Sequence, residues 1–168
     1  RSMHALENDH IRIEVDPHGA ELRSITHKAT GRNVLWSGDP AWWNRRAPHL
    51  FPLVGALGPR GLVTEGQTWR PRKHGFARDM DFSLHRQEEG ELVFELRESP
   101  ATLAEYPFDF TFRIRYRLEG AAVMVGATVR STRDIWFSYG GHPAFALPWN
   151  PGEDLQDYQI QFSTVEPG

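Results

Sequence analysis

Residues 108–118 read Phe-Asp-Phe-Thr-Phe-Arg-Ile-Arg-Tyr-Arg-Leu. Phe108, Phe110, Phe112, Ile114, Tyr116 and Leu118 alternate without a break with Asp109, Thr111, Arg113, Arg115 and Arg117. Successive side chains of a strand point to opposite faces, so this period of two sets an apolar face against a core and a charged face in water. The arginine face reads as solvated sheet surface rather than an anion site, because outward positions of antiparallel strands are polar by default.

The same pattern extends on both sides. Leu92, Phe94 and Leu96 interleave with Glu91, Glu95 and Arg97, and Val123, Val125, Ala127 and Val129 come after a turn at Glu119-Gly120. Between the first two strands, Ser99-Pro100 offers an N-cap and a first helical position, and Pro107 ends the segment, so a short helix is expected there. Ile11, Ile13 and Val15 alternate with Arg12 and Glu14 up to Asp16-Pro17-His18-Gly19, and residues 21–26 form the return strand. Val34-Leu35-Trp36 and the alternation of Tyr158, Ile160 and Phe162 are expected as further strands. Short strands with turns about ten residues apart, and no long amphipathic helix, indicate an all-β, antiparallel β-sandwich or barrel without a domain boundary.

Composition narrows the function classes. The chain has 168 residues, 39% hydrophobic and 12% aromatic, which suffices for the core of one domain. Its 19 basic and 22 acidic residues leave a net charge of −3, with no field that would favour nucleic acid or an anionic membrane. No cysteine is present, which excludes disulfides, thiolate metal sites and cysteine nucleophiles and suits a cytoplasmic location. No window approaches the roughly 18 apolar residues of a membrane span, and Glu7, Asp9, Arg12 and Glu14 occupy the place of a leader's apolar run. Arg1-Ser2 ahead of Met3 reads as a cloning remnant, leaving residues 3–168 as the domain.

Two stretches stand apart from the strands. Residues 42–66 hold Trp42, Trp43, Arg45, Arg46, Pro48, Phe51, Pro52, Gly55, Gly58, Pro59 and Gly61 with no period, and long irregular loops inside a compact domain are usually functional. Tyr139 to Phe145 reads Tyr-Gly-Gly-His-Pro-Ala-Phe. Its glycines can take conformations closed to other residues, and Pro143 pushes His142 towards extended geometry. An imidazole held in a defined turn suits acid–base work near neutrality; the same turn could also simply join two strands. His49 and His74 are the other histidines in unusual settings. None of the three has metal spacing, no Gly-x-Ser-x-Gly elbow starts a triad, and no glycine-rich phosphate loop opens a helix. General acid–base catalysis or polar ligand recognition by histidine and arginine remains.

Four blocks then come in a telling order: Arg45-Arg46-Ala47-Pro48-His49-Leu50-Phe51-Pro52-Leu53-Val54-Gly55, His74-Gly75-Phe76-Ala77-Arg78-Asp79, Tyr106-Pro107-Phe108-Asp109-Phe110 and Gly140-Gly141-His142-Pro143-Ala144-Phe145. Together they resemble the aldose 1-epimerase (galactose mutarotase-like) superfamily, in its LacX-like branch, over almost the whole chain. The resemblance implies a large β-sandwich of the supersandwich type and interconversion of the α and β anomers of an aldose, without cofactor or metal. It implies His142 as general acid on the ring oxygen and His74 as the group that binds and polarises the same region. Arg46, Trp43, Phe76 and Arg78 are expected near the sugar.

The sequence departs from the family pattern in two places. Ala56 stands where an arginine commonly hydrogen-bonds the sugar, with Arg45, Arg46 or Arg60 as candidate substitutes. The chain also stops before the family's aspartate and its general-base glutamate. It is therefore expected to be the N-terminal part of a truncated sandwich, weak or inactive by itself, whose open side is covered by a missing C-terminal part or a second chain. The partner expected is a small-molecule sugar, with no nucleic acid and no membrane. The alternatives are a non-catalytic carbohydrate-binding protein and, ranked lower, a phosphosugar 1-epimerase using Arg45 and Arg46 for phosphate.

Overall fold

The computed structural model describes residues 2–167. Its strands are β1 (His4–Glu7), β2 (Ile11–Asp16), β3 (Glu21–His27), β4 (Arg32–Asn33), β5 (His49–Leu50), β6 (Leu62–Thr64), β7 (Gln67–Trp69), β8 (Ser83–Glu88), β9 (Glu91–Arg97), β10 (Thr111–Glu119), β11 (Ala122–Arg130) and β12 (Gly140–Gly141). A one-turn helix α1 (Pro100–Leu103) and 3-10 turns at Ala77–Asp79 and Leu155–Asp157 complete the regular structure. One sheet has the order β1-β2-β3-β4 and a second β11-β10-β9-β8, all antiparallel; β5 pairs with β12 and β6 with β7.

The alternation that defines β10 is realised in its burial. Phe112, Ile114 and Tyr116 are fully enclosed, and Arg115 and Arg117 lie outside. The outer face is laced by charge pairs: Arg113 Nε donates to Glu95 at 2.6 Å, Arg115 approaches Glu91 and Arg117 pairs with Glu119. These pairs identify the arginines as sheet surface. Leu6, Ile13, Val15 and Leu22 of the first sheet meet Leu92, Phe94, Leu96 and the β10 residues in one core. His4 packs edge-on against Phe94 at 5.5 Å, joining the two layers. The Ser99 cap is present as expected: its hydroxyl accepts from the Thr102 N–H, and the Thr102 hydroxyl accepts from the Ser99 N–H.

Some expectations fail for physical reasons. Residues 158–162 form no strand, and Ile160 and Phe162 are 85% and 62% exposed. Alternation needs a neighbouring strand to become a ladder, and none among the described residues lies beside this segment. Residues 34–36 reduce to a single bridge, Leu35 to Phe145. The irregular loop contains β5 and the beginning of the β6–β7 hairpin.

The loop is fastened by Phe51. Its ring stacks on Phe112 at 4.2 Å and meets Phe76 and Phe110 edge-on, with no exposure to water. Its carbonyl accepts from the N–H groups of Phe76 and Ala77. Gly75 must pass that carbonyl with φ +69°, and a Cβ there would fall 2.1 Å from the Phe51 oxygen. Only glycine fits.

His49 is the polar member of the core. Its Nδ1 lies 2.8 Å from Tyr139 Oη and its Nε2 2.6 Å from Tyr116 Oη. Burial pushes its pKa down to about 4, the weaker opposing influence being the Ala20 backbone.

These packings yield two measurable outcomes. Gly75→Ala should destabilise the chain by at least about 2 kcal/mol in urea unfolding, combining backbone clash and a left-handed alanine. For His49, the unfolded chain takes up a proton near the ordinary pKa of 6.5 while the folded chain does not until about 4. Stability attributable to this group is therefore complete above pH 6.5 and falls as pH drops towards 4, by about 2–3 kcal/mol at pH 4.5. The groups facing the ring are Tyr116, Tyr139 and, next to Tyr116, Glu21. Comparison of urea midpoints at pH 7 and pH 4.5 should show the extra acid loss in the native chain and its absence in His49→Gln.

Candidate functional site

The stretches 46–54 and 138–144 lie side by side as an antiparallel seam. Ala144 N–H donates to the Arg46 carbonyl at 2.8 Å, His142 N–H to Pro48 at 3.1 Å and Ser138 N–H to Pro52 at 2.9 Å. Gly140 stands opposite Leu50 and Gly141 opposite His49. Special backbone conformations are not the reason for this glycine pair, since neither residue has a positive φ. Space is the reason at Gly140 instead, where a Cβ would meet Val54 Cγ2 at 3.1 Å. Beneath the seam the buried Glu21 carboxylate accepts from the N–H groups of Arg46 and Ala47 at 2.6 and 3.0 Å.

This frame sets His142 at the surface, with its ring centroid 5.1 Å from that of Trp43. Trp43 is held by its N–H on the Asp39 carbonyl and by its own carbonyl, which accepts from Trp36 Nε1 at 2.8 Å. His74 comes from the next loop in a left-handed conformation, φ +65°. Its N–H donates to the Gly55 carbonyl at 2.7 Å and its Nδ1 accepts from the Gly55 N–H at 2.9 Å. With Nδ1 accepting, the neutral ring carries its proton on Nε2. Its pKa is lowered, first by desolvation and then by the positive charges of Arg78, Lys73 and His142. The two imidazoles thus share one electrostatic neighbourhood.

The other expected residues divide. Phe76 is fully buried between Phe51, Tyr106 and Phe110, so it is a core residue and offers no face to a sugar. Arg46 turns its Nη1 to the Arg23 carbonyl at 2.5 Å, and its Nε is buried without a partner. Desolvation first, and then Arg23, lower its pKa. Arg78 donates to the Lys73 carbonyl at 3.2 Å, its Nε also buried and unbonded. Among the substitutes for the arginine missing at Ala56, Arg45 pairs with Asp79 at 2.6 Å and Arg46 is engaged as described.

A cleft of about 240 Å³ opens beside His142, lined also by Pro143, Gly141, Tyr139, His49 and Ala47. That is below the roughly 300 Å³ at which sites for drug-sized ligands begin, and suits a small molecule. Sequence reasoning assigned no role to Tyr139, Tyr116 or His49 in this wall. A signal was available: Tyr116 occupies an inward position of the β10 alternation, where a buried hydroxyl requires a partner. Among the described residues no three histidine or acidic side chains converge as a metal site.

The chain is 32% identical to the LacX protein of Lactococcus lactis subsp. lactis over 170 residues, 96% of this chain and 56% of that protein. Among solved structures, a galactose mutarotase related enzyme from Lactobacillus acidophilus matches with TM-score 0.86 and 34% identity, over 93% of this chain and 53% of that one. A galactose mutarotase-like protein from Lactobacillus casei matches with TM-score 0.83 and 32% identity, over 89% and 52%. The chain spans about half the length of these relatives, and its fold is the galactose mutarotase-like β-sandwich. The sequence profile of the aldose 1-epimerase family matches residues 2–166, and the chain belongs to that family.

Proposed function

We propose that this chain carries the acid-bearing, sugar-orienting part of an aldose 1-epimerase that interconverts α and β anomers. The observation that supports this best is the pair of imidazoles, His142 beside Trp43 and His74 on Gly55, brought into one neighbourhood from separate loops. Ring opening requires a proton on the ring oxygen while the anomeric hydroxyl loses one; rotation about the opened bond and reclosure give the other anomer. His142 is assigned the proton delivered to the ring oxygen. His74, with its proton on Nε2, donates a hydrogen bond to the same region. Trp43 supplies an apolar wall beside the acid.

The base is the missing partner. Of the carboxylates bordering the loop, Glu21 is committed to the Arg46 and Ala47 amides and Asp79 to Arg45. Catalysis at full rate therefore needs a carboxylate from further polypeptide. The apolar surface left by Trp136, Phe145, Trp149, Ile160 and Phe162 fits coverage by such polypeptide. The committed carboxylates also favour a second reading, a carbohydrate-binding protein that retains the histidines without the chemistry. The phosphosugar reading is less favoured, since Arg45 pairs with Asp79 and Arg46 turns its Nη1 to the Arg23 carbonyl.

Polarimetry of freshly dissolved α-D-galactose and α-D-glucose separates the readings. The chain should accelerate mutarotation weakly, and His142→Ala should abolish that acceleration while sugar binding persists. Equal acceleration by the native chain and His142→Ala contradicts the assignment. Binding without any acceleration selects the second reading.

A further inference from the structure

Beneath the cleft beside His142, three side chains form a line of hydrogen bonds whose direction is fixed at one end. Tyr116 Oη lies 2.5 Å from the Ala20 carbonyl oxygen. A carbonyl can only accept, so Tyr116 commits its single proton there. The same phenol oxygen is 2.6 Å from His49 Nε2 and can now only accept, which puts the imidazole proton on Nε2. His49 is fully enclosed and neutral at physiological pH, so Nδ1 is bare. Tyr139 Oη, 2.8 Å from Nδ1, must therefore donate to it. Every proton in the line points inward, from Tyr139 to Ala20.

The consequence falls on the cleft. Tyr139 lines it together with Gly141, His142 and Pro143, and its hydrogen bond among the described residues is the one to His49. Its proton is turned away, while its oxygen keeps lone pairs. Burial raises the phenol to about 12, so it does not ionise near neutrality. A Cβ at Gly141 would lie 3.8 Å from this oxygen, in van der Waals contact, so the glycine keeps a side chain off that flank of it.

We propose that Tyr139 is a substrate-binding residue that accepts a hydrogen bond from a hydroxyl of the sugar held beside His142, and that buried His49 is the positioning residue that makes it an acceptor alone. The proposal rests on the carbohydrate reading above and adds the chemistry of one contact. An ether oxygen, a carboxylate or a fully ionised phosphate finds no donor at this position, whereas an alcohol brings its own O–H and finds an acceptor. The position thus selects for an unmodified hydroxyl.

Two measurements test it, one independent of sugar. Nitrogen NMR of the His49 ring in the 168-residue chain should report the Nε2–H tautomer unchanged from pH 8 to pH 5; an Nδ1–H tautomer overturns the proposal. D-galactose titrations followed by NMR should then show affinity reduced roughly three- to tenfold in Tyr139→Phe, as loss of one hydrogen bond requires. Among the monodeoxy-galactoses, one should bind the native chain as weakly as galactose binds Tyr139→Phe and lose nothing further in that variant. Equal galactose affinity for the native chain and Tyr139→Phe overturns the contact and leaves the proposed function standing. Should Tyr139→Phe not fold, the native chain decides: native-strength binding of every monodeoxy-galactose overturns the contact. Failure of the native chain to bind galactose and D-glucose overturns the carbohydrate reading and this contact with it.

Discussion

A buried carboxylate aimed at two backbone amides holds the wall of the candidate site in place. Glu21, 4% exposed, accepts from Arg46 and Ala47, and each such charge-assisted bond contributes on the order of 1.5–3 kcal/mol. Irregular loops cannot satisfy their own backbone, so something must hold them from outside. Here Glu21 holds one end of residues 46–54, His49 and Phe51 hold the middle from within the core, and Gly55 holds His74. The strip carrying His142 has no sheet of its own and borrows its geometry from that loop. His142 takes its position from that anchored segment, whereas Trp43 is held from residues 36–39 and His74 from Gly55, just past the segment's end.

Legibility of the fold in the sequence divides along the same line. β10 can be read at once because its period agrees with its burial, and β2, β3, β9 and β11 are read from the same alternation. β8 cannot, since Ser-Leu-His-Arg-Gln-Glu has no apolar face and all six residues are exposed; it exists because β9 offers it a ladder. β1 is likewise invisible, being four residues recruited by β2. The alternation of residues 158–162 is clear yet produces no strand, because pattern supplies a face but not a partner.

The candidate site is legible as motifs and less so as roles. His142 and Trp43 pack together, while His74 is tied to Gly55 in the next loop and feels His142 only electrostatically. Phe76 stands two residues from His74 in the chain and so suggests a sugar contact, but the left-handed turn at His74 and Gly75 lies between them, and its ring goes into the core. Arg46 shows a charge but not its direction; the guanidinium folds back over Gly38 to reach Arg23. Tyr139 and His49 are hidden for the opposite reason. Their significance lies in the order of protons along a buried line, which depends on a carbonyl at Ala20 that no motif includes.

Anchoring of residues 46–47 by Glu21 positions the His142 strip across the seam. Amide hydrogen exchange of the native chain and Glu21→Ala tests it directly. The amides of Arg46, Ala47, His142 and Ala144 are all bonded in the native structure, and all four should lose protection together in the variant while the β9 and β10 amides keep theirs. Loss confined to Arg46 and Ala47, with His142 and Ala144 protected as before, would contradict it.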